Sequence, residues 1–83
     1  MSDALDSSVL VEALVPSAPH HSACLALLNQ GGWVIHIHAI VETFNTITGG
    51  RLGFRVPPGA AHKMILWRVM PFVSVALLTP DEV

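Results

Sequence analysis

"WVIHIHAIVETFNTITGG", residues 33–50, changes its period part-way along. Residues 33–37 are β-branched and aromatic, which predicts a strand. From His38 onward the apolar residues recur at helical spacing. Ile40, Val41, Phe44 and Ile47 share one face, with Glu42, Asn45 and Thr46 on the other. Gly49-Gly50 ends that helix. A strand that feeds directly into a helix is half of a βαβ unit.

The alternation recurs on both sides. Residues 2–6 read as a short buried strand. The helix after it carries Val9, Leu10, Ala13 and Leu14 at helical spacing, and Asp6, Ser7 or Ser8 can cap it. "VPSAP" at 15–19 breaks the chain. "HHSACLALLNQGG" at 20–32 reads as a second helix, with Cys24, Leu27 and Leu28 as its apolar stripe and Gly31-Gly32 as its stop. Downstream, "RLGFRVPPGA" at 51–60 is a loop with a Pro-Pro stop. Residues 60–68 predict a helix, and "FVSVALL" at 72–78 a third strand. Strands alternating with helices imply an α/β domain with a mostly parallel sheet.

The chain has 83 residues, room for one small domain spanning 1–83. It is 52% hydrophobic and only 12% charged. A small domain has much surface to cover, so this excess implies an apolar partner surface or membership of a larger fold. The last residues favour the second. In "TPDE" at 79–82, Thr79 is placed to cap, Pro80 to open a helix and Glu82 to complete a capping box. A helix start so close to Val83 is the mark expected of a domain incomplete at its C-terminus.

Several function classes drop out. "VMPFVSVALL" at 69–78 is too short and too interrupted to span a bilayer. The N-terminus has no basic region followed by an apolar core, so no signal peptide is visible. Cys24 is the single cysteine, which suits a reducing, cytoplasmic location. Net charge is −2, yet all four basic residues, Arg51, Arg55, Lys63 and Arg68, fall in one stretch. Arg51 and Arg55 are the candidate phosphate contacts for RNA; a solvated loop is the plainer reading.

The carboxylates carry the chemistry. Asp6 ends the first strand, and Glu42 lies in the first turns of the helix after the second. In an open parallel sheet, ligands bind beyond the carboxyl ends of the strands. Neighbouring strands would bring both acids to one rim, where they suit a hard cation such as Mg²⁺ or Mn²⁺. The plainer readings are an N-cap for Asp6 and a solvated helix face for Glu42. Zinc is the rival: His36 and His38 alternate along a strand, and His20 and His21 are adjacent. Such a site needs about four ligands, and half-buried or solvated histidines are the simpler account. Cys24 lies among leucines and reads as a structural thiol rather than a nucleophile. Trp33 and Trp67 read as core or dimer contacts rather than base-stacking platforms.

Four stretches together resemble a known family. "LDSSVLVEAL" at 5–14 looks like the opening strand and helix of PIN-domain nucleases. "HIHAIVETFNTITGG" at 36–50 is similar to the second signature of VapC-type toxins. "HHSACLALL" at 20–28 resembles that family's second helix, and "VPPGAAHKMI" at 56–65 its later Pro-containing loop and helix. The resemblance runs along essentially the whole chain, in order. It implies a three-layer α/β fold and a Mg²⁺- or Mn²⁺-dependent endoribonuclease, the toxin of a toxin–antitoxin pair. Such a toxin would form a homodimer and be silenced by a cognate antitoxin. Carried over by position, Asp6 and Glu42 would be the metal-site acids, Ser8 would support Asp6, and Asn45 and Thr46 would line the groove. One departure stands out: after Glu42 the next acids are Asp81 and Glu82, away from where the family's remaining acids lie. The alternative is therefore a catalytically inactive, truncated PIN-like chain acting by dimerisation or antitoxin binding.

Overall fold

The computed structural model describes residues 5–76. Its elements are α1 (Ser7–Leu14), α2 (His21–Asn29), β1 (Trp33–His36), α3 (Ile37–Thr48), α4 (Pro58–Arg68), a 3-10 turn at Met70–Phe72, and β2 (Val73–Ala76). Residues 2–4 of the expected first strand, residues 77–78 of the third, and the helix start at 79–82 lie outside the described residues.

β1 and β2 pair in parallel, from Trp33 beside Val73 to His36 beside Ala76. Parallel neighbours need a long crossover, and here α3 and α4 supply it. The chain entering α1 also lies against β1, since the Leu5 N–H donates to the Val34 carbonyl at 3.2 Å. The protein is thus a small α/β fold in which the entry to α1, at residues 5–7, and the junction of β1 with α3, at 36–37, lie side by side.

Local chemistry explains the boundaries. Val15 is extended and precedes Pro16, whose ring disfavours a helical residue before it, so α1 stops there. Gly31 and Gly32 both take positive φ (74° and 77°), a conformation costly for any residue with a Cβ, and this turns α2 into β1. The Trp33 indole N–H then donates to the Leu27 carbonyl at 2.8 Å and satisfies an acceptor in the last turn of α2. α4 opens on Pro58, two residues before the expected start, because a proline's fixed φ and missing N–H suit a first turn.

Leu10, Leu14, Leu28, Ile35, Ile65 and Val69 form the main core, and Val15, Ile47 and Ala61 a smaller one behind α3. Cys24 is half-buried against the main core, as a structural thiol would be. Two expectations are corrected. α3 buries Ala39, Thr43 and Ile47, and Val41 is 49% exposed. The buried residues form an i, i+4 row, and small Ala39 and Thr43 permit close packing. The Thr43 hydroxyl causes no penalty because it donates to the Ala39 carbonyl at 2.7 Å. Of the core or dimer-contact roles expected of Trp67, the core one is ruled out: the residue is 66% exposed, with the Lys63 ammonium 6.0 Å from the ring centroid. No helix among the described residues is long and apolar enough to cross a membrane.

Candidate functional site

Asp6 follows buried Leu5, which β1 holds in place. Its extended backbone (φ −95°, ψ 175°) makes it the N-cap of α1. Asp6 Oδ1 accepts from the Ser8 hydroxyl at 2.7 Å and from the Val9 N–H at 3.2 Å. These bonds favour the ionised form. Ser8 is the larger cause, Val9 the next, and together they outweigh slight desolvation, so the carboxyl is held below its ordinary pKa. The capping reading of Asp6 is therefore correct, and it leaves Oδ2 without a side-chain partner among the described residues.

α3 begins at Ile37, immediately after β1 ends, with no intervening loop. This moves His38 off the strand and into the first helical turn, so His36 and His38 do not alternate along a strand as expected. His38 instead stands four residues before Glu42, with Nε2 3.6 Å from Glu42 Oε1. Both side chains are well exposed, so the pair contributes little to stability.

The two connections converge. Asp6, His36, His38 and Glu42 line one cleft of about 250 Å³, walled by Leu5, Ser7 and Ala39. Ser7 and Glu42 also border an adjoining polar groove of about 450 Å³, which takes in Ser8, Glu12, Thr46 and Arg51. The structure therefore brings Asp6, Glu42, Ser8, Thr46 and Arg51 to one continuous surface. Asn45 and Arg55 are exposed and line neither cleft.

Glu12 is the site residue that the sequence reading did not single out. It faces the groove one helical turn after Ser8, and Oε2 accepts from the His20 N–H at 3.0 Å. The i, i+4 spacing from Ser8 was the available signal.

Among the described residues, no three His, Cys, Asp or Glu side chains converge as a metal-binding group. The four histidine and carboxylate side chains of the cleft thus do not form the closed tetrahedral set of a structural zinc site. Two carboxylates facing one cleft do suit Mg²⁺ or Mn²⁺. Mg²⁺ typically keeps several waters and takes only one or two protein carboxylates beside substrate phosphate oxygens. No family model, no curated protein and no solved structure matches this chain.

Proposed function

We propose that this chain is a metal-dependent endoribonuclease of the PIN-domain type, the toxin of a cytoplasmic toxin–antitoxin pair. The observation that carries the reading is the shared cleft: Asp6 and Glu42, from separate connections, face the same space. In this reading the helices cover both sides of the sheet in the family's three-layer arrangement.

Asp6 and Glu42 would hold Mg²⁺ or Mn²⁺, which when bound supplies Lewis acidity for hydrolysis and counter-charge for the scissile phosphate. The chain's own residues do the rest. Ser8 donates to Asp6 Oδ1 and holds that oxygen in place, so the carboxylate is oriented before substrate arrives. The Arg51 guanidinium, in the same groove as Glu42, offsets the charge of a neighbouring phosphate. Thr46 offers a hydroxyl along that path.

A second reading has its own observation. An apolar cleft of about 480 Å³ lies between α3, α4 and β2, lined by Ile37, Val41, Phe44, Leu66 and Val75 among others. Exposed apolar area of this kind suits a protein partner, either a second copy or an antitoxin. A non-catalytic chain would use that face alone.

The deciding experiment is cleavage of a fluorescent single-stranded RNA with and without Mg²⁺. Endonucleolytic products that need Mg²⁺ and vanish in both Asp6→Asn and Glu42→Gln support the enzyme. Products that survive both substitutions refute the assigned roles.

A further inference from the structure

We infer that Phe54 is a base-stacking platform, the residue that holds an RNA base at the far end of this groove. The inference takes its ligand from the nuclease reading above, and its own support lies at the other end of the groove.

The surface that begins at Asp6 and Glu42 does not end at Arg51. Val11, Glu12 and Leu52 border both the polar groove and a third cleft of about 210 Å³, and Phe54 lines that third cleft. The three clefts thus form one path, with α1 on one side and the 49–56 loop on the other. Its chemistry changes in order along the path: carboxylates, then Thr46 and Arg51, then an aromatic ring. A bound strand needs that order, with a scissile phosphate at the acids, a neighbouring phosphate at the guanidinium and a base on the ring. Glu12 adds negative charge midway, but its carboxylate already accepts from the His20 N–H.

The loop that carries Phe54 is tied down. The Gly53 N–H donates to the Gly50 carbonyl at 3.2 Å, and the Val56 N–H donates to the Ile47 carbonyl at 2.9 Å. The Arg55 side chain lies over Gly50 so closely that a Cβ there would come 2.7 Å from Nε. Phe54 is 40% exposed between Arg51 and Arg55. A half-exposed ring in the cleft that continues from the Arg51 groove matches how single strands are held without sequence readout. In a duplex the bases are stacked on one another and cannot lie on such a ring.

The test is binding of a labelled single-stranded RNA, roughly 10 nucleotides long to fit a groove of this kind. Fluorescence anisotropy is read in EDTA, so that no cleavage intervenes. Phe54→Leu keeps apolar bulk in the third cleft and removes the π face; Phe54→Trp restores it. The expected result is binding about tenfold weaker for Phe54→Leu, recovered by Phe54→Trp, with melting temperatures unchanged and no effect of either on duplex binding. Wild-type affinity in Phe54→Leu, equal loss for duplex, or no binding by the wild type would each overturn the inference. The two readings separate cleanly. RNA that is bound through Phe54 but never cut refutes the nuclease and keeps the platform. RNA that is cut equally well by Phe54→Leu refutes the platform and keeps the nuclease.

Discussion

Ser8 Oγ donates to Asp6 Oδ1 across 2.7 Å, while the Val9 N–H bonds the same oxygen. One carboxylate therefore closes the N-terminus of α1 and faces the cleft that Glu42 also lines. Capping and charge can be separated, because asparagine caps about as well as aspartate and alanine does not. Asp6→Asn should leave stability nearly unchanged, and Asp6→Ala should cost about 1 kcal/mol. Urea unfolding of both variants checks this. In the nuclease reading both lose cleavage, so activity that tracks stability rather than charge would count against it.

The Ser8 hydroxyl also sets a pH dependence. Asp6 has a folded pKa below its unfolded one. Its contribution is therefore present above the unfolded pKa and is lost as pH falls through the folded one. Ser8→Ala removes the larger cause of the depression, so the Asp6 pKa should rise toward the ordinary aspartate value and some acid-side stability should go. A carboxyl-carbon NMR titration of residue 6 reads the shift directly. An unmoved pKa would show that the hydroxyl does not hold that oxygen in solution.

α3 offers a contrast within one helix. Ile47 is fully buried and Val41 half-exposed. Ile47→Ala should cost about 2–5 kcal/mol, since it leaves a cavity in the smaller core. Val41→Ala should change stability by under about 0.5 kcal/mol. Chemical denaturation at low protein concentration makes the comparison. A large loss at Val41 would mean that its face of the apolar cleft is covered, as the binding reading requires.

Gly50 has φ +82° and lies under the Arg55 side chain. Gly50→Ala meets a left-handed backbone cost of roughly 1–2 kcal/mol and displaces the exposed Arg55 side chain. Thermal melting should fall accordingly, and single-stranded RNA binding should weaken with it, because this turn positions Arg51 and Phe54. Gly59→Ala is the control, since nothing crowds that position. Equal effects of the two would show that the loop is not held as described.

Much of this was legible in the residues themselves. The switch of period within 33–50 located β1 and α3, and Pro16 and Gly31-Gly32 marked the stops of α1 and α2 for reasons of backbone sterics alone. The expectation that Asp6 and Glu42 face one space came from the rule that parallel strands deliver their ends to one rim; both line one cleft, while residues 2–4 of the expected first strand lie outside the described residues. What was hidden depended on angle and packing. Ile40, Val41, Phe44 and Ile47 span a wide arc, so periodicity could not say that the core would take Ala39 and Thr43 and leave Val41 out. The loss of a linker after β1 is a one-residue shift, yet it carried His38 from strand to helix and beside Glu42. Glu12 and Phe54 became visible as groove residues only once α1 and the 49–56 loop were set against each other. Of the two roles expected of Trp67, core or dimer contact, the core one fell because α4 buries Ala61 and Ile65 instead.

The central claim is that Asp6 and Glu42 share one divalent ion, and a Mn²⁺ titration followed by paramagnetic broadening of amide signals tests it most directly. The account predicts that residues at the start of α1 and the first turns of α3 broaden together, in one saturable step. Asp6→Asn or Glu42→Gln alone should abolish the effect at both places. Broadening confined to one of the two helices, or unchanged in either variant, would contradict it.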